Sequence, residues 1–273
     1  MITLNQQKRI ECTIENRVAY VSLARPDKRN ALDMAMFREI DVTINRLRKD
    51  RALRAVIITG QGEDFCSGLD VKSVMASPKN PLRLLFKWLP WRSNLAQRVS
   101  TGWRLVPVPV IAAIHGRCWG GGLQIVLGAD FRIATTDATF SIMEGRWGLI
   151  PDMGGSLALR EHCRADVAKE LTMTAKIINS EDAHKFGLIT HIDDNPLSAA
   201  ESLADELAKH SPDAVAGAKK LFNKSWTGSR GMALLRESWY QIRNLSSQNN
   251  RIKIWNQTHD PDEQKPFKDR KRW

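Results

Sequence analysis

Apolar and polar positions alternate at the start of the chain. Ile10, Cys12 and Ile14 share one face, Glu15-Asn16-Arg17 reads as a turn, and Ala19, Val21 and Leu23 alternate again. This is the pattern of a hairpin. The period then lengthens. Asp33 is placed to cap a helix whose Phe37, Ile40, Ile44 and Leu47 fall on one face. The run Ala55-Val56-Ile57-Ile58-Thr59 predicts a buried strand ending at Gly60. The same module recurs: a strand at Val110 to Ile114, three glycines (Gly120, Gly121, Gly122) opening a helix through LQIVLGA, and a strand at Phe131 to Ala134. Strands alternating with helices imply an α/β fold with crossover connections.

From Pro196 onward the pattern is helical. Leu203 and Leu207, then Val215 and Leu221, predict two helices, and a longer one is expected through Leu235, Trp239, Ile242 and Ile252. A soft boundary near 196 divides a core of residues 1–195 from a helical region of residues 196–273. The segment Pro78 to Trp103 fits neither part. Prolines interrupt it, and it mixes Leu, Phe and Trp with Arg and Lys. Such a segment suits a lid over an apolar pocket, a membrane-surface patch or an amphipathic helix packed on the core. Trp88, Trp91 and Trp103 either line such a pocket or pack as core.

Composition narrows the class. The 273 residues suffice for a large core, and no apolar run reaches the ~18 residues of a membrane helix. The opening MITLNQQKRIECTIEN lacks a signal-peptide core, so a cytoplasmic protein is expected. Cys12, Cys66, Cys118 and Cys163 have no metal or CxxC spacing and read as reduced thiols. His115, His162 and His184 share no ligand spacing, so no metal is expected. The formal charge is +11. Between Val71 and Ala129 there is no acid, only Lys72, Lys79, Arg83, Lys87, Arg92, Arg98, Arg104 and Arg117 among the charges. Lys265, Lys268, Arg270, Lys271 and Arg272 form a second basic cluster. This suits either a solvated face or a multiply charged anion. No nucleic-acid motif accompanies it.

Three local features carry candidate chemistry. Phe65 to Lys72 (FCSGLDVK) follows the strand at Ile57, with a glycine that allows close backbone approach. His115 to Gln124 (HGRCWGGGLQ) exposes N–H groups without intrahelical partners, suited to a developing oxyanion. Glu144 to Gly155 (EGRWGLIPDMGG) sets two carboxylates, Glu144 and Asp152, eight positions apart around a turn. Asp152 could instead cap the helix beginning near Gly154.

In their order and spacing these features resemble the crotonase (enoyl-CoA hydratase/isomerase) superfamily. The resemblance runs from about Val18 to Asp194, and further blocks lie at Leu23 to Leu32 and at Thr174-Ala175-Lys176 through Gly187-Leu188. It implies a crotonase-like spiral of ββα units with a C-terminal helical region for trimer or hexamer packing and active-site cover. It implies an oxyanion hole from the Leu69 and Gly121 amides, and a coenzyme A portion lying near Lys28, Ala31, Ser67, Asp70 and Val71. Coenzyme A would be part of a fatty acyl-CoA substrate, as in β-oxidation, with no separate cofactor. Hydratases of the family carry a glutamate two residues past the glycine triplet, where this chain has Gln124. An amide cannot act as general acid or base. Asp152 stands where the dienoyl-CoA isomerase branch carries a catalytic aspartate, although that branch usually has an aspartate at the Gln124 position. The strings FCSGLD, PVIAAIHG and KELTMTAK are also similar to that branch. By resemblance, Glu144 removes the C2 proton and Asp152 delivers one to C6, with desolvation by Trp119 and Trp147 raising a carboxylate pKa. Hydration using Glu144, and acyl-CoA or membrane-surface binding without turnover, are the alternative expectations.

Overall fold

The computed structural model describes residues 8–273. β1 (Ile10–Glu15) and β2 (Val18–Leu23) pair antiparallel with Glu15 opposite Val18. Asn16 and Arg17 both have positive φ (48° and 67°), which makes this a tight primed turn matched to strand twist. Asp33 caps α1 (Met34–Leu47), accepting from the Met36 amide at 2.8 Å. The predicted apolar face of that helix is buried.

β3 (Ala55–Gly60), β4 (Val110–Ile114), β6 (Phe131–Ala134) and β9 (His191–Ile192) follow β2 in parallel, giving a six-stranded sheet ordered β1-β2-β3-β4-β6-β9. A second sheet, absent from the sequence reading, joins β5 (Arg117–Trp119), β7 (Thr139–Ser141) and β8 (Ile178–Asn179) in the order β5-β7-β8. Strands of two or three residues carry too little alternation to be recognised. The crossovers are α2 (Val71–Met75), α3 (Lys79–Leu85) and α4 (Leu95–Thr101), then α5 (Gly121–Val126), α6 (Gly155–His162), α7 (Ala165–Thr174) and α8 (Ser180–Lys185).

The central strands are apolar on both faces, as a covered parallel sheet requires. On β3, Val56 and Ile58 enter the main core with Phe37, Phe65, Cys118 and Trp103. Ala55 and Ile57 point to the opposite side, where Ala200 and Ala204 of α9 (Pro196–Ala208) cover them. The first helix after residue 196 therefore packs on the sheet itself.

α10 (Pro212–Ser225), α11 (Arg230–Leu245) and α12 (Gln248–Thr258) complete the chain. The long helix expected through Leu235 and Ile252 is two helices, α11 and α12. Ser246 ends the first, and the Ser247 hydroxyl accepts from the Asn250 amide at 3.0 Å to start the second. Serine side chains compete with helical hydrogen bonding and favour caps. Leu235, Trp239 and Ile242 are exposed on α11.

Candidate active site

Two loops leave the parallel sheet side by side. The Phe65 amide donates to the His115 carbonyl, Cys66 N–H to the Arg117 carbonyl, and Trp119 N–H to the Cys66 carbonyl, each at 2.9 Å. This ladder pairs Cys66 with Cys118 in parallel. Three residues further along each loop come Leu69 and Gly121. Both line an apolar cavity of about 460 Å³, and neither amide has an acceptor among the described residues. The close approach needs glycine. Gly68 has φ +97°, and a Cβ there would sit 3.1 Å from the Trp119 carbonyl oxygen. A Cβ on Gly122 would lie 2.7 Å from the Cys66 side chain. The thiols between these loops are inert. Burial pushes Cys66 up to about 12 and Cys118 well above its ordinary value.

Glu144 and Asp152 line the same cavity. Glu144 Oε1 accepts from Gln124 Nε2 at 2.6 Å, while Oε2 is buried without a partner among the described residues. Burial raises the Glu144 pKa, and Asp152 adds to the rise against the lowering effect of the Gln124 bond. Asp152 is exposed as well as lining the cavity, and partial burial raises its carboxyl too. Asp152 does not cap α6: the N-cap is Gly154, in a left-handed conformation with no side-chain bond.

Gln124 carries a role that the sequence did not reveal. It is buried, and its Oε1 accepts from Met153 N–H (2.9 Å) and Gly155 N–H (3.0 Å) while its Nε2 holds Glu144. One side chain thus ties α5, Glu144 and the turn bearing Asp152. Only an amide donates and accepts in this way. An ionised carboxylate would keep the two acceptor bonds but oppose Glu144.

The other expected residues divide. Ser67 and Val71 line the cavity, whereas Lys28 and Ala31 do not. Lys28 is exposed on the turn before α1. Asp70 is outside the lining. Its carboxylate accepts from Arg25 at 2.8 Å and from Ser73 N–H at 3.0 Å, capping α2. Burial works to raise the Asp70 pKa, but the Ser73 amide and Arg25 outweigh it and the net shift is downward. Arg25, which no motif flagged, also donates to the Ala31 carbonyl at 2.9 Å and lies 3.7 Å from Asp33, so it braces the loop entering the site.

Trp103 packs as core, one of the two expected places, whereas Trp88 and Trp91 take neither. Trp88 and Trp91 are exposed and Trp103 is buried in the core, so none lines the cavity. Trp119 and Trp147 do line it, but Trp147 is 61 % exposed and contributes little to desolvating Glu144. The far wall comes from Phe37, Val74, Leu84, Leu85 and Ala96. The segment around α3 and α4 is therefore the cover over the cavity, and no lining residue comes from 196–273.

A parallel-sheet spiral that delivers two free amides and a buried carboxylate to one apolar cavity defines a crotonase-type fold and site. The chain belongs to the enoyl-CoA hydratase/isomerase family, whose model matches residues 13–254. It is 34 % identical over 213 residues to the mitochondrial Δ3,5-Δ2,4-dienoyl-CoA isomerase of Rattus norvegicus, covering 75 % of this chain and 65 % of that relative. The chain thus spans just under two thirds of that isomerase's length. It is 29 % identical over 258 residues to (E)-benzylidenesuccinyl-CoA hydratase of Thauera aromatica, covering 91 % of this chain and 96 % of the hydratase. The crystal structure of enoyl-CoA hydratase from Bacillus anthracis superposes with a TM-score of 0.84 at 25 % identity, over 95 % of this chain and 99 % of that one.

Proposed function

We propose that this protein is an acyl-CoA enzyme that shifts double bonds along an unsaturated thioester, converting a 3,5-dienoyl-CoA to the 2,4-isomer. One observation carries the reading: the site holds two carboxylates of raised pKa, Glu144 and Asp152, while Gln124 fills the third position with a non-titrating amide. The thioester oxygen accepts from the Leu69 and Gly121 amides. Glu144 takes the C2 proton as enolate charge forms on the thioester. Electrons from the C2–H bond become the C2–C3 double bond, the C3–C4 pair moves to C4–C5, and the C5–C6 pair captures a proton at C6. Asp152, which lines the same cavity, supplies that proton. Loss of one oxyanion donor typically costs ~3 kcal/mol of barrier. Ser67 and Val71 at the cavity edge, with the Lys28 and Ala31 turn and the Asp70 backbone beyond it, are proposed to meet the coenzyme A portion.

Hydration by the two-glutamate route needs a carboxylate at position 124, where Gln124 instead spends its amide on Glu144, Met153 and Gly155. The similarity to a hydratase keeps water addition as the competing reading. The exposed Phe222, Trp226, Trp239 and Ile242 are proposed as contacts between copies in a trimer or hexamer.

Incubation of the purified protein with 3,5-dienoyl-CoA and, separately, with 2-enoyl-CoA tests the reading. Conversion of the dienoyl thioester with little water addition is expected. Hydration as the dominant reaction would replace isomerisation by the competing reading, and tight binding without turnover of either would make the protein a binder.

A further inference from the structure

The cover over the cavity has an outer side that nothing in the fold uses. Pro81, Leu84 and Leu85 line the cavity. Around them Leu82 (70 %), Phe86 (65 %), Trp88 (86 %) and Trp91 (77 %) stand exposed within eleven residues. Interleaved with them are Lys79, Arg83, Lys87 and Arg92, all exposed and none in an ion pair among the described residues. The chain offers them no local counter-charge, since no acid occurs from Val71 to Ala129. Across the base of α4, Asp41 is already taken by Arg98 at 2.9 Å.

We propose that residues 79–92 dock the protein on an anionic lipid bilayer. Trp and Phe rings settle at the headgroup level, and Lys and Arg extend their charge to lipid phosphates while their stems lie on apolar surface. Charge complementarity selects this occupant. A second copy meeting the patch across a two-fold axis, as between two trimers, would set four cations against four, in a chain that already carries +11, and the contacts proposed within a trimer lie on α10 and α11 instead. An aqueous role would leave Phe86, Trp88 and Trp91, three exposed aromatic residues within six positions, in water, a density that marks an interaction site rather than single scattered apolar residues. Docking does not depend on the reaction. On the acyl-CoA reading it gains a purpose, because the helix that touches the bilayer also walls the cavity, so an amphiphilic thioester would enter from the membrane surface.

The test is sedimentation of the full chain, without substrate, with vesicles of phosphatidylcholine alone and with vesicles one third phosphatidylglycerol. Expected is binding to the anionic vesicles only, weakened by salt. Arg83→Glu with Lys87→Glu should lower affinity at least tenfold, each cation being worth roughly fivefold near such a surface. Trp88→Ala with Trp91→Ala should lower it about tenfold while unfolding temperature and acyl-CoA binding stay unchanged. Absence of anionic-lipid binding, or binding that both double variants retain, would overturn the proposal. So would a change of oligomeric state in these variants by sedimentation velocity, which would make a second copy the occupant.

Discussion

Two buried charges in this molecule are treated in opposite ways. Lys219 on α10 is placed against Asp130 at 2.6 Å, the Trp103 carbonyl at 3.1 Å and the Val108 carbonyl at 3.0 Å, so each ammonium hydrogen has an acceptor. Glu144 has one oxygen held by Gln124 and the other left without a partner. Burial lowers the Lys219 pKa and raises that of Glu144, so both sites penalise their charge. Only the second leaves a buried acceptor without a partner, on a residue that lines a cavity. A buried charge with its bonds complete holds structure, whereas one kept incomplete against a pocket is available to a substrate.

The contrast breaks most sharply at Glu144. Glu144→Gln should lower kcat for isomerisation by about 10³- to 10⁴-fold, the upper range for removing a general base, without loss of folding. Steady-state kinetics with circular dichroism checks this. Lys219→Met should do the reverse, lowering stability by about 3–5 kcal/mol by stranding Asp130 while kcat in the folded protein changes little. Urea unfolding measures it, and Asp130→Asn in the same chain should restore part of the loss.

A smaller effect sharpens the comparison at Asp152. The folded-state pKa of this carboxyl is raised, so its stability contribution is whole below the unfolded pKa and is lost as pH rises through the folded value. Asp152→Asn should therefore match the wild type in acid and unfold at a higher temperature near neutral pH. Equal thermal midpoints at neutral pH would show that burial does not penalise the Asp152 charge.

Gln124→Glu is the mildest change. It keeps the acceptor bonds to Met153 and Gly155 but sets a second carboxylate against Glu144. The acid limb of kcat/KM should move to higher pH, where Gln124→Ala would instead lose rate, by roughly tenfold, at all pH values. A pH–rate profile separates the two.

Much of this was legible in the chain. The hairpin, the Asp33 cap, the parallel strands and both glycine loops follow from period and local backbone need, which a sequence states directly. Glu144 and Asp152 stood out in the sequence as two carboxylates around one turn, Leu69 and Gly121 were implied by the family resemblance, and all four line one cavity. The role of Gln124 was not legible, because its three bonds join residues 20 to 31 positions away. Arg25 was missed for the same reason, its partner Asp70 lying 45 positions on. Trp88 and Trp91 misled because an aromatic residue beside an apolar helix face reads alike whether it points inward or outward. The break at Ser246-Ser247 was hidden by apolar spacing that continues across two helices.

On the proposed reading, Glu144 and Asp152 act on opposite ends of one conjugated system. Proton exchange at C2 and isomerisation, followed together by mass spectrometry and absorbance for Asp152→Asn with 3,5-dienoyl-CoA in deuterated water, tests it most directly. The account predicts that exchange at C2 continues through Glu144 while formation of the 2,4-isomer falls about 10²-fold or more. Isomerisation at the wild-type rate, or loss of C2 exchange together with isomerisation, would contradict the division of labour between the two carboxylates.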